Sequence, residues 1–140
     1  MTGALVVVAT LLAAAAIGFA LRARDGRVRA AGPGAVELVP DAVRAVLDPA
    51  AAVTLVQLTS AYCAQCGQAE KVLARTAAAT AGLAHTTVDL TDRPELAARL
   101  AVLRTPTTLA VDSRGVELLR VGGVPKPADL LDALREHLPA

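Results

Sequence analysis

Aromatic residues are almost missing from this chain: Phe19 and Tyr62 are the only two, and tryptophan is absent. A core without rings must be aliphatic, so close packing of many small groups replaces the large area that aromatic side chains bury. Ala, Val and Leu supply nearly all of the 54% apolar content. Net charge is nearly missing too, at +1 over 140 residues. There is no strong basic field and no interleaving of aromatic with basic residues, which speaks against nucleic acid as a partner. Cysteine is equally scarce, with Cys63 and Cys66 as the only pair. Three positions of separation is too short for a cross-link that holds a fold together. It suits a redox pair or half of a metal site.

Charge is wholly absent from residues 1–21. Residues 4–21 form a near-continuous apolar run, interrupted only by Thr10 and Gly18. A helix of about 20 residues crosses the hydrocarbon layer, so this run is just long enough. A cleaved secretory signal would place basic residues ahead of the run, and none stands there. A soluble helix would show a polar face, and this one has none. The favoured reading is a membrane-spanning anchor, which makes the bilayer a partner of the chain. Arg22, Arg24, Arg27 and Arg29 follow it directly, against one Asp25. Basic flanks stay on the cytoplasmic side, so the rest of a single-pass chain is expected in the cytoplasm, with the extracytoplasmic face as the alternative.

Three parts follow from this organisation: an anchor over 1–21, a basic juxtamembrane linker over 22–34, and one domain over 35–140. The linker ends in Ala-Ala-Gly-Pro-Gly. The domain alternates. Residues 36–39 read as a short strand, and Pro40-Asp41 opens a helix with Val43, Val46 and Leu47 at helical spacing. The β-branched run VTLVQLT (53–59) reads as a buried strand. The cysteine pair comes next, and an Ala-rich, proline-free helix runs from 66 to about 80. Residues 84–90 form a strand. Pro94 starts a helix whose apolar stripe is Leu96, Leu100 and Leu103. Residues 107–111 and 116–121 form a hairpin around Asp112-Ser113-Arg114-Gly115. A last helix runs from 127 to 138. Strands joined through helices pair in parallel, whereas the hairpin adds antiparallel edges. The expected fold is α/β, a three-layer sandwich with a mixed central sheet behind one transmembrane helix.

The pair sits where a buried strand ends and a helix begins. The first helical turn carries unpaired N–H groups and a partial positive charge, both of which stabilise a thiolate. Cys63 is therefore the expected nucleophile, with a pKa below the free value of about 8.5. Cys66 follows one turn later and is the expected resolving thiol. Two other readings exist. A zinc site wants four ligands, and the chain adds only His85 and His137, with no pairing pattern. Two inert buried thiols are the other. No cofactor and no metal are assigned. His85 reads as a strand-end residue, and His137 as a partner of the last helix dipole.

At these residues the chain resembles the thioredoxin family, over about 36–138. Ala61-Tyr62-Cys63-Ala64-Gln65-Cys66 stands where the family has its active-site motif. Arg104-Thr105-Pro106-Thr107 resembles its cis-proline segment, and Arg120-Val121-Gly122-Gly123 its late glycine bend. The resemblance implies thiol–disulfide exchange with protein disulfides, and an upstream electron donor that recharges the pair. It implies a cis bond before Pro106, with Thr105 opposite Cys63 and free to pair with an extended substrate segment. Tyr62 would shield Cys63, and Gly122 would leave room for the substrate chain. Departures stand beside these matches. Tyr62 replaces the usual tryptophan, and Ala64-Gln65 the common Gly-Pro. Gln57 takes the place of a buried acid and cannot titrate. Thr87 takes the place of the accompanying lysine, and Lys71 that of a helix-kinking proline. Glu70, four residues after Cys66, is a candidate substitute for the acid. The readings that remain are a membrane-anchored oxidoreductase, an extracytoplasmic oxidant or isomerase, and a non-catalytic binding module.

Overall fold

The computed structural model describes residues 1–31 and 38–140. Helix α1 (Thr2–Arg24) holds the whole apolar run, buries none of it, and is long and apolar enough to cross a membrane. The other elements are β1 (Val28–Ala30), α2 (Asp41–Arg44), β2 (Val53–Thr59), α3 (Cys66–Ala78), β3 (Leu83–Asp89), α4 (Pro94–Arg99), β4 (Thr107–Asp112), β5 (Glu117–Gly122) and α5 (Pro127–Leu134). The chain ends in a short 3-10 turn, Arg135–His137.

The strands form one mixed sheet in the order β1-β5-β4-β2-β3. β2 runs parallel to β3 and antiparallel to β4. Because side chains alternate along a strand, β2 feeds both cores. Val53 and Leu55 join Leu73, Ala110, Leu119, Leu130 and Leu134 on the face covered by α3 and α5. Val56 and Leu58 join Val43, Leu96, Leu100, Leu109 and Val111 on the other face. The helices thus form outer layers on both sides of the sheet, and the core is aliphatic throughout.

Four expectations change. The stretch expected as a linker carries β1, which pairs antiparallel with β5 from Val28↔Val121 to Ala30↔Leu119. The sheet therefore begins ahead of residue 35. Its open edge accepts a strand there because Val28 packs onto the second core while the arginines project outward. The strand expected over 36–39 lies partly outside the described residues. Leu38 makes a single antiparallel bridge to Val116, and the Val39 N–H donates to the Gly115 carbonyl at 2.9 Å. Helix α2 is one turn long, so Val43 is buried while Val46 is exposed. Helix α4 stops before Leu103. Ala101 adopts a left-handed φ of 51°, and the Val102 N–H donates to the Ala97 carbonyl at 2.9 Å, which closes the helix end. Leu100 stays in the core and Leu103 is left 99% exposed.

The hairpin turn forms for a visible reason. The Asp112 Oδ1 accepts the Arg114 and Val116 N–H groups, both at 2.9 Å, while Gly115 takes the left-handed φ of 86°.

Leu103 and Leu109 give a direct test of this packing. Leu109→Ala is expected to lower stability by about 2–5 kcal/mol, whereas Leu103→Ala should stay within about 0.5 kcal/mol of the parent. Equilibrium denaturation in detergent measures both, and equal losses would contradict the assigned core.

Candidate active site

β2 ends at Thr59, and a short loop brings the chain to Cys63 and then to α3 at Cys66. Cys63 and Cys66 are joined in a disulfide with 5.5 Å between their Cα atoms. Cys66 is 6% exposed and starts the buried stripe Cys66, Ala69, Leu73 and Thr76. Cys63 is half-buried, the more accessible residue of the two. Gln65 occupies the N-cap position and makes no side-chain capping bond, and the first turn holds no acidic residue. The N–H groups of that turn are therefore not taken by a side chain of the helix itself.

The other expected site residues lie around the pair, with two changes. The Thr105–Pro106 peptide is cis. The Thr105 Oγ1 shares a hydrogen bond of 3.0 Å with the Ser60 Oγ, and the Cys63 N–H donates to the Ser60 carbonyl at 3.3 Å. Tyr62 is 95% exposed and points to solvent, so it does not cover Cys63 as a shield. Gly122 does not face open space. The Arg104 guanidinium lies 3.0 Å from where a Cβ would stand, held there by Asp25 at 2.7 Å. Tyr62 stays in solvent, and the Asp25 carboxylate draws the Arg104 side chain over Gly122.

Behind the pair lies a constellation that strand placement alone did not reveal. Gln57 is 1% exposed. Its Nε2 donates to the Cys66 carbonyl at 2.9 Å, and its Oε1 lies 3.2 Å from the His85 Nε2. A carbonyl only accepts, so the amide nitrogen must face Cys66 and the amide oxygen must face His85. The imidazole Nε2 therefore carries the hydrogen and donates it. The available signal was the period of two along β3, which puts His85 on the same face as Thr87, opposite Gln57 in the parallel register. Burial lowers the His85 pKa from its ordinary 6.5, opposed by the Glu70 carboxylate. Among the described residues no three His, Cys, Asp or Glu side chains cluster closely enough to hold a metal.

The chemistry of this arrangement is specific. One sulfur is accessible beside a helix N-terminus, a second lies buried within bonding distance, and the amide behind them has no proton to give. The buried amide fixes the carbonyl of the first helical residue and with it the direction of the helix start.

No protein-family model matches the sequence, and no curated protein matches it. Solved structures do. A thioredoxin variant from Halobacterium salinarum NRC-1 superposes with a TM-score of 0.56 at 22% identity, covering 64% of this chain and 78% of that one. Thioredoxin f2 from Chlamydomonas reinhardtii gives 0.55 at 18% identity, over 64% and 82%. Thioredoxin NaTrxh from Nicotiana alata gives 0.53 at 23% identity, over 62% and 74%.

His85 makes the stability of the domain depend on pH with a definite sign. Its folded-state pKa lies below the unfolded value, so the unfolded chain binds more protons in the interval between the two. This contribution is whole above about pH 6.5 and is lost as the pH falls through the lower folded value. Melting temperatures from pH 7 to pH 5 should fall less steeply in His85→Leu than in the parent. Parallel curves would contradict the burial argument.

The backbone that carries Cys63 and Cys66 is the thioredoxin fold.

Proposed function

We propose that this chain is a membrane-anchored thiol–disulfide oxidoreductase that reduces or exchanges disulfides in partner proteins through Cys63 and Cys66. The observation that carries this reading is the placement of the pair: Cys63 half-buried and Cys66 buried, on a helix start that has neither a side-chain cap nor an acid in its first turn. In the reduced protein the Cys63 thiolate attacks a substrate disulfide, forms a mixed disulfide and expels one substrate thiolate. The Cys66 thiolate then attacks the Cys63 sulfur and releases the second. Two electrons pass to the substrate, and the pair ends as the disulfide. An upstream dithiol donor is needed to recharge it.

Thr105 and Pro106 are the proposed substrate-strand contacts, with the Thr105 backbone pairing with an extended segment. Tyr62 belongs to the same contact surface, available to a partner through its exposure. Gly122 is assigned to that surface together with the Arg104 guanidinium above it. Gln57 leaves the pair without a buried acid, so a slow or specialised partner is expected rather than broad reductase activity. The N-terminal helix anchors the chain in the cell membrane as a single pass. The arginines after it favour a cytoplasmic domain.

Three experiments test this reading. Cys63→Ser should abolish exchange, and Cys66→Ser should accumulate a mixed disulfide with its partner; full insulin reduction by Cys63→Ser would refute the assignment. Direction is read from the reduction potential. A value near about −270 mV marks a reductase, and one near about −120 mV an oxidant on the outer face. Protease added to intact spheroplasts should leave the C-terminal domain whole, and its digestion would reverse the topology.

A further inference from the structure

The turn that leaves the anchor is fastened to the redox site. The Gly26 N–H donates to the Gly122 carbonyl at 2.8 Å. Gly26 adopts a φ of 73°, and a Cβ there would stand 2.4 Å from the Val124 carbonyl oxygen, so the turn is seated directly on the backbone after β5. Asp25, one residue earlier, holds Arg104 at 2.7 Å. From Gly123 the path continues: its N–H donates to the Pro106 carbonyl at 2.8 Å. Thr105 reaches Ser60 at 3.0 Å, and the Ser60 carbonyl accepts the Cys63 N–H at 3.3 Å. Hydrogen bonds and single peptide steps thus connect the end of the apolar helix to the reactive loop. Residues 32–37 follow β1 in sequence, so they add no length between anchor and domain.

The same side of the domain lies against the end of α1. A groove of about 860 Å³ is lined jointly by Gly18 and Leu21 of α1, Gln65 of the cysteine loop, and Leu103 and Arg104. Gly18 and Leu21 belong to the last apolar turns of α1. The cysteine loop therefore stands beside the end of the apolar segment. Leu103, 99% exposed, lines the same groove. Arg22, Arg24, Arg27 and Arg29 line the same groove, and none makes an ion pair among the described residues. Cations at that depth attract anionic headgroups.

Resting on the anchored-oxidoreductase reading above, we propose that the Cys63–Cys66 pair works inside the headgroup layer, and that its substrates are disulfides in juxtamembrane segments of other membrane proteins. A short, seated exit turn holds the nucleophile at one height. A substrate disulfide at the same height on the same surface meets it at high effective concentration, while one held far above the bilayer does not. The electron balance is that of the exchange already described: the substrate disulfide accepts two electrons and leaves as two thiols, and Cys63 and Cys66 become the disulfide.

The test uses the full-length, pre-reduced protein in vesicles of phosphatidylcholine with phosphatidylglycerol as the minor component. The substrate is a disulfide-looped peptide fused to a single transmembrane helix. In one version the loop follows the helix directly; in the other, ~12 prolines raise it by about 37 Å. Single-turnover thiol formation, quenched by alkylation, should be at least about tenfold faster for the short version. Inserting a flexible Gly-Ser segment between Arg24 and Asp25 should bring the two rates together. Equal rates in the parent protein, or a preference that survives the insertion, would overturn the proposal. Failures of the underlying reading look different: no reduction of either fused peptide in detergent sinks the oxidoreductase assignment, and failure to float with the vesicles sinks the anchor.

Discussion

The reactivity of the cysteine pair depends on the meeting of one sulfur with one helix end. β2 runs buried to Thr59, the chain turns once, and α3 starts at Cys66, whose N–H donates to the Cys63 carbonyl at 3.4 Å. The size of the effect can be bounded. A helix terminus stabilises a nearby charge by about 0.3–1 kcal/mol, or ~2 kcal/mol in a partly buried geometry, which corresponds to between about a quarter and one and a half pKa units. The dipole alone thus moves a thiol only part of the way from its free value. No capping side chain and no acid competes with the sulfur in the first turn.

The surroundings hold that geometry more than they take part in proton transfer. Gln57 spans the space between Cys66 and His85, and a buried amide bonded at both ends is a rigid spacer. Ser60 and Thr105 tie the loop to the strand-preceding segment on the opposite side. The exit from α1 is fixed to the same side through Gly122. The cysteine pair is thus restrained from behind, from the side and from the end of α1.

The parts legible in the sequence were those governed by local rules. The pattern of β-branched runs, the proline at the start of α4 and the Asp112–Gly115 turn gave the order of the elements and the mixed sheet. The position of Cys63 and Cys66 between strand and helix was equally local. What was not legible depended on tertiary neighbours. β1 has only three residues and carries Arg29 at its centre, and it becomes a strand because β5 offers an open edge. Ala101 ends α4 in a conformation that sequence normally reserves for glycine, so Leu103 looked like part of the apolar stripe. Within the site, Gln57 was recognisable as a departure, but its bond to His85 needed the parallel register of β2 and β3. Arg104 over Gly122 needed Asp25, seventy-nine positions away.

The most direct test is the rate of iodoacetamide alkylation of Cys63 against pH, measured on the reduced Cys66→Ser protein. A midpoint clearly below the free-thiol value of about 8.5 is the predicted result. A thiol that reacts only above that value, or not at all while the protein is folded, would contradict the claim that the helix end makes this sulfur the nucleophile.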